Sequence, residues 1–418
     1  MQKENIKKWW EKVKLGDIVE FCSRWISPKY SEKWIFIINQ KCIRDNKIDY
    51  SLCRYHDIDK KFSSDKLIKI FDILINSTWV WTLWRISQVK KNINNFTVDS
   101  HVTILRLNWT IYKEFIWYVL INKEVIIESL WKWATGQTEL SREDLKNIQI
   151  TIPESLQTQQ KIASILSKYD DLIENNNKRI KILEDMAQTI YKEWFIDFRF
   201  PWFENVKMID SGTEFWEIPE GWEVKKVWES FTTVLWWTPS RANKVFWWWN
   251  IPWINSWKVN DLIIINESEF ITELWYSKSS TKLMPKWTTV IAITWATLWQ
   301  VSILWIEACA NQSVIWIYDE TWFYSNYIYY FFINNINRII SHAWWWAQQH
   351  INKDIVNQTK LIIPRNEIID NFNKSIWEVI DEMKNLFFQN QNLKQTRDIL
   401  IPKLVSWEVD VEDLDVKI

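Results

Sequence analysis

Glycine is almost missing from this chain. Its 418 residues include 4 Gly, where average usage of about 7% would give roughly 29. Histidine is as scarce, also at 4, which leaves few candidates for general acid–base or metal chemistry. The 4 cysteines, Cys22, Cys42, Cys53 and Cys309, include no close C-x-x-C pair, which argues against a disulfide framework and a structural zinc site. Cys53 and His56 form a lone C-x-x-H, an incidental spacing. The net charge of −1 provides no global basic field, so any nucleic-acid surface must be local or supplied by a partner. Long apolar runs are missing too. "YIYYFFI" from Tyr327 is too short to cross a bilayer, and the charged N-terminus "MQKENIKKWWEKVK" lacks a signal-type apolar segment. The expectation is a cytoplasmic protein without membrane contact.

Tryptophan is in excess, at 35 residues. It stands where neighbouring residues call for turns: "VFWWWNIPWINSWKV" from Val245, "ITWATLWQVSIL" from Ile293 and "SHAWWWAQQHINKDI" from Ser341. The simplest account is that most of these Trp occupy glycine positions. Some bacterial lineages read UGA as glycine and others as tryptophan, and translating the first kind with the second kind's table gives this composition. Trp84 and Trp299 would then be equivalent turn glycines, and Trp344 to Trp346 a Gly-Gly-Gly loop. Trp194, Trp222 and Trp253 are exceptions whose packing roles glycine could not fill.

The chain is written twice. "TLWRIS" from Thr82 returns as "TLWQVS" from Thr297, and "GQTELSREDLKNIQITIP", ending at Pro153, returns as "AQQHINKDIVNQTKLIIP", ending at Pro364. A helix-forming segment without glycine follows each. In the first, Ile162, Leu166, Tyr169, Ile173, Asn176, Ile180, Leu183, Ala187, Ile190 and Trp194 alternate steps of four and three. In the second, Phe372, Ile376, Val379, Met383, Leu386, Asn390, Leu393, Arg397, Leu400 and Leu404 do the same, each 210 positions on. That spacing predicts coiled-coil seams, with Asn176 and Asn390 as register-setting polar residues. The expected order is a first globular unit over 1–155, a spacer helix over 156–199, a linker over 200–221, a second unit over 222–365, a second helix over 366–408 and a solvating acidic tail over 409–418. Short β-branched runs such as "TTVIAIT" predict α+β units with substantial sheet.

With glycine placed at the turn tryptophans, "GWEVKKVWE", "WWTPSR", "IPWINSWKV", "ITWATLWQVS", "AWWWAQQHINKDIV", "LIIP" and "PKLVSWEVDV" follow one another in order. Together with the central helix "QTQQKIASILSKYDDLIENNNKRIKILEDMAQTIYKEWF", they give a chain that resembles the specificity subunit of bacterial type I restriction–modification enzymes over nearly its whole length. The resemblance implies two target-recognition domains, each reading half of a split double-stranded DNA target. It also implies an antiparallel helix pair between them, giving a pseudo-two-fold arrangement. Two modification subunits using S-adenosylmethionine would methylate adenine, and restriction subunits would use ATP and Mg. This chain would be a non-catalytic subunit binding no cofactor or metal itself. It carries no Asn-Pro-Pro-aromatic motif, phosphate loop or zinc helix.

Base reading needs paired donors and acceptors, Arg for guanine and Asn or Gln for adenine. In the first unit Ser27, Lys29, Gln40, Lys41, Arg44, Thr82, Arg85 and Gln137 supply them. In the second the candidates are Ser240, Arg241, Asn255, Lys258, Thr297, Gln300, Gln348, Gln349 and His350. Two rival readings stay open: a Trp-rich carbohydrate- or membrane-interface module, and a stand-alone methylation guide.

Overall fold

The computed structural model describes the chain except residues 1–8, 26–29, 32–34, 57–62, 79–81, 135–136, 237, 239, 294–299, 346–351 and 417–418. It forms two compact units, Met1–Glu174 with Asn390–Ile418, and Asn175–Gln389. Both divisions fall inside long helices, so each unit owns part of each helix.

In the first unit, Val102–Leu107 is buried along its whole length. It pairs antiparallel with Val19–Ser23 on one side and Ile73–Asn76 on the other, and Ile86–Gln88 completes the sheet. A strand buried on both faces reads as a continuous apolar run, and this one has a single charge. Arg106 meets that cost with a two-bond pair to Asp72, at 2.8 and 2.7 Å, because an unpaired buried cation is not tolerated. A second sheet joins Ile35–Ile38 to Phe96–Val98 in parallel and to Arg54–His56 antiparallel. The helix Lys113–Ile121 is buried over most of its surface, and Trp10–Lys14 closes on Gln149–Pro153.

The second unit repeats this plan. Val314–Tyr318, Thr289–Ala292 and Val301–Leu304 form the core of a five-stranded sheet. Trp247–Ile254 pairs in parallel with Cys309–Ala310, Glu223–Lys226 closes on Lys360–Ile363, and the helix Ser325–Trp345 packs on the core. The expected linker is structured: Met208–Asp210 and Glu217–Pro219 make a hairpin, and Phe200 and Ile218 enter this unit's core.

The long helices, Leu156–Phe195 and Asn366–Val405, are 40 residues each. In the first unit the start of one meets the end of the other, with Ile162 and Leu166 in the same core as Ile401 and Leu404. In the second unit the order is reversed, Ala187, Tyr191 and Trp194 packing with Phe372 and Ile376. The pairing is therefore antiparallel. Every one of the twenty seam positions is buried or half-buried, and each fully buried Ile or Leu contributes about 1.5–3 kcal/mol. Asn176 and Asn390 are both 5% exposed, and the Asn176 amide donates to Gln389 at 3.5 Å.

Two expectations need correction. Trp344 and Trp345 are the last residues of the helix Ser325–Trp345, because tryptophan continues a helix that glycine would end; Trp346 lies outside the described residues. The acidic tail is partly docked: Val411 is 2% exposed, and the Lys161 ammonium donates to the carbonyls of Val411 and Glu412 at 3.5 and 2.6 Å. The docked backbone holds one apolar side chain inside while Glu408, Asp410, Glu412, Asp413 and Asp415 stay at the surface.

Candidate nucleic-acid interface

In both units a strand of the parallel pair ends in an Asn that caps a single 3-10 turn, a local signature of strand followed by polar turn. Asn39 follows Ile35–Ile38 and accepts from the Lys41 amide at 2.9 Å. Asn255 follows Trp247–Ile254 and accepts from the Lys258 amide at 3.2 Å. The partner strands match as well, since the Asp99 amide donates to the Ile38 carbonyl and the Asn311 amide to that of Ile254, each at 3.2 Å.

Around this turn the first unit gathers polar side chains from distant segments. The Thr82 hydroxyl donates to the Gln40 side-chain carbonyl at 3.2 Å, and the Asn76 amide donates to the Gln40 main-chain carbonyl at 3.1 Å. Thr78 meets His101 Nδ1 at 2.8 Å, and Thr78 bridges Glu139 through the backbone. Arg24 binds Glu139 and donates its Nε to Thr103 at 3.0 Å. Arg44 is exposed and Arg85 half-buried. Burial, and then the neighbouring Arg44 guanidinium, lowers the Arg85 pKa, a like-charge pairing that a phosphate would relieve.

In the second unit Arg241 lies over the Trp247 ring at 4.6 Å and is gripped by both oxygens of Glu269, at 3.1 and 3.0 Å. The Trp247 indole donates to the Ser240 carbonyl at 3.3 Å, so Ser240, Arg241 and Glu269 form one cluster. The Arg241 fork is thereby held in a fixed plane, with both of its terminal nitrogens donating to Glu269.

The expected residues thus fall into three groups. Gln40 with Thr82, Arg44 with Arg85, and Ser240 with Arg241 are brought together. Asn255 is occupied as a cap, Lys258 pairs with Asp261 at 2.8 Å, and Lys41 and Gln300 are exposed without joining either cluster. Gln137 pairs through its backbone with Ala134. Ser27, Lys29, Thr297, Gln348, Gln349 and His350 lie outside the described residues. Sequence reasoning missed Arg24, Thr78, His101 and Glu139, whose convergence depends on strand pairing. One signal was available, since His101 lies 212 positions before Ser313. Their amides make the same turn, donating to Asp99 and Asn311 side chains at 2.8 and 3.1 Å. Among the described residues no group of His, Cys, Asp and Glu could hold a metal, and no helix is long and apolar enough to cross a membrane.

This doubled plan has a counterpart among known proteins. The pattern defining the type I restriction modification DNA specificity domain matches twice, at residues 7–185 and 219–397. The chain belongs to that family. The MjaIX specificity subunit of Methanocaldococcus jannaschii is 28% identical over 309 residues, covering 73% of this chain and 71% of its own. The HindI specificity subunit of Haemophilus influenzae is 22% identical over 463 residues, covering 96% and 99%. The crystal structure of a type I S subunit from M. genitalium superposes with a TM-score of 0.52 at 14% identity, covering 97% of each chain, a likeness of fold.

Proposed function

We propose that this chain is the DNA-reading subunit of a type I restriction–modification complex and that each of its units reads one half of a bipartite duplex target. The observation that carries this is the duplication: one recognition plan occurs twice, each copy with its own polar cluster beside the capped turn. A 40-residue helix is about 60 Å long at 1.5 Å per residue, on the order of one to two turns of DNA. The helix pair is read as the ruler that leaves the bases between half-sites uncontacted, with Asn176 and Asn390 holding its register. Two modification subunits methylate adenine in each half with S-adenosylmethionine, and restriction subunits use ATP and Mg. The chain itself is non-catalytic and works in the cytoplasm, and its near-neutral charge leaves much of the phosphate clamp to those partners. Mapping methylated adenines in cells carrying this gene with its modification partner tests the reading. Two short motifs separated by a fixed run of unspecified bases are expected, and one continuous motif would overturn it.

A further inference from the structure

Eleven residues other than glycine adopt positive φ among the described residues, and six of them are tryptophan: Trp84, Trp202, Trp216, Trp287, Trp322 and Trp407, with φ between 57° and 79°. Tryptophan makes up 35 of 418 residues, so chance would place about one there. Asn and Asp visit this region through their own short side chains, but a bulky residue does so only under strain. The amides of Trp84, Trp216, Trp287 and Trp322 donate to Asn76, Thr213, Leu304 and Asp319 carbonyls at 2.7 to 3.1 Å, and Trp407 follows the end of the helix Asn366–Val405, where a left-handed glycine commonly stops a helix. Trp202 and Trp216 are 65% and 79% exposed, so packing does not account for their indoles.

The internal repeat supplies an independent comparison. Trp10–Lys14 and Glu223–Lys226 close on equivalent strands, Glu11 standing opposite Ile152 as Glu223 stands opposite Ile363. Each leads into a short helical turn closed in the same way, the Lys14 amide donating to Asp17 at 3.0 Å and the Lys226 amide to Glu229 at 2.8 Å. Aligned this way, Trp9-Trp10-Glu11 matches Gly221-Trp222-Glu223, and Lys14-Leu15-Gly16-Asp17 matches Lys226-Val227-Trp228-Glu229. Glycine and tryptophan exchange at two equivalent places, in opposite directions. Gly221 has φ +82°, and a Cβ on Gly16 would meet the Lys146 Cβ at 3.1 Å, whereas Trp9 and Trp228 are 56% and 54% exposed. Buried tryptophans match large residues instead: Trp117 corresponds to Tyr329 and Trp253 to Ile37, all at most 3% exposed.

We propose that the six positive-φ positions, together with Trp9 and Trp228, are glycine in the protein as its own host makes it, while Trp117, Trp194 and Trp253 are tryptophan. The composition pointed to such an exchange in aggregate; the backbone and the repeat now separate the two kinds position by position. Peptide mass mapping of the full chain purified from its native cells decides it. Glycine at all eight and tryptophan at the three buried sites is expected; tryptophan at any of the eight, or glycine at any of the three, overturns the assignment. A second measurement uses the chain as written and a variant with the six positive-φ tryptophans changed to glycine. Relief of left-handed strain should raise Tm by roughly 2–4 °C a site, and an unchanged or lowered Tm counts against the proposal.

Discussion

The two units anchor themselves to the first long helix by the same group and with opposite electrostatics. Tyr118 and Tyr330 stand 212 positions apart in the repeat. Tyr118 donates to Asp170 at 2.7 Å, and Tyr330 donates to Glu184 at 3.3 Å. Around Asp170 the first unit adds Arg397 at 2.5 Å and Lys90 at 3.5 Å. Burial works against ionisation of Asp170, but Lys90, Tyr118 and Arg397 together outweigh it and hold the carboxyl below its usual range. Around Glu184 the hydrogen bonds come from neutral donors, Tyr330 and the Gln188 amide at 2.9 Å, and the lowering effect of Lys181 is opposed by Asp185. Glu184 is 2% exposed, and burial raises its pKa. Duplication can copy a hydroxyl's position along a helix. The charges that compensate its partner come from whatever else packs there.

The comparison breaks most sharply on stability. Asp170→Asn leaves the half-buried Arg397 with only the exposed Asp398 as its anion and should cost about 1–3 kcal/mol. Glu184→Gln keeps the neutral hydrogen bonds, removes an uncompensated charge, and should be neutral or mildly stabilising at pH 7. Urea unfolding of both variants reads this, and equal losses would erase the distinction. On DNA, Gln40→Leu should weaken recognition of one half-site, and Arg241→Ala the other, each by about 1–3 kcal/mol. Methylation frequency scored separately for each half reports it, and loss from both halves alike would show that the clusters do not read independently.

The smallest effect is on pH. Glu184 is raised from 4.5, so its contribution is fully present below pH 4.5 and fades as pH climbs through the folded-state value. Asp170 is lowered from 3.8, so its contribution is present above pH 3.8 and is lost as pH falls through the folded-state value. Glu184→Gln should flatten the stability profile above pH 4.5, and Asp170→Asn below pH 3.8. Denaturation midpoints across pH 3 to 8 would show slopes of the opposite order if the two carboxyls were assigned the wrong way round.

The sequence was most legible where periodicity governs. Every position of the 4-3 seams is buried or half-buried, because a coiled coil repeats its environment each heptad. Asn255 and Lys258 show the limit of side-chain chemistry. Both are suitable base readers by type, yet a local cap and a neighbouring Asp261 occupy them, and turn geometry decides that. The Arg24, Thr78, His101 and Glu139 cluster was not legible, since these residues meet only after strands from distant segments align. Pro402, one turn from the end of the helix Asn366–Val405, shows that a helix breaker is tolerated where little helix remains to disturb. Tyr118 and Asp170 were likewise out of reach, because the bond between them depends on how a domain helix docks on the seam.

The first unit takes Asn390–Ile418 into its fold, and Ile401, Leu404, Val405 and Val411 help fill its core. A ribosome therefore makes the last pieces of the first unit only after all of the second has been synthesised. The N-terminal half waits, with Ile162 and Leu166 uncovered, while the later half can complete its core with residues already synthesised. A premature stop near the end of the gene would strip the unit encoded first and leave intact the one encoded last.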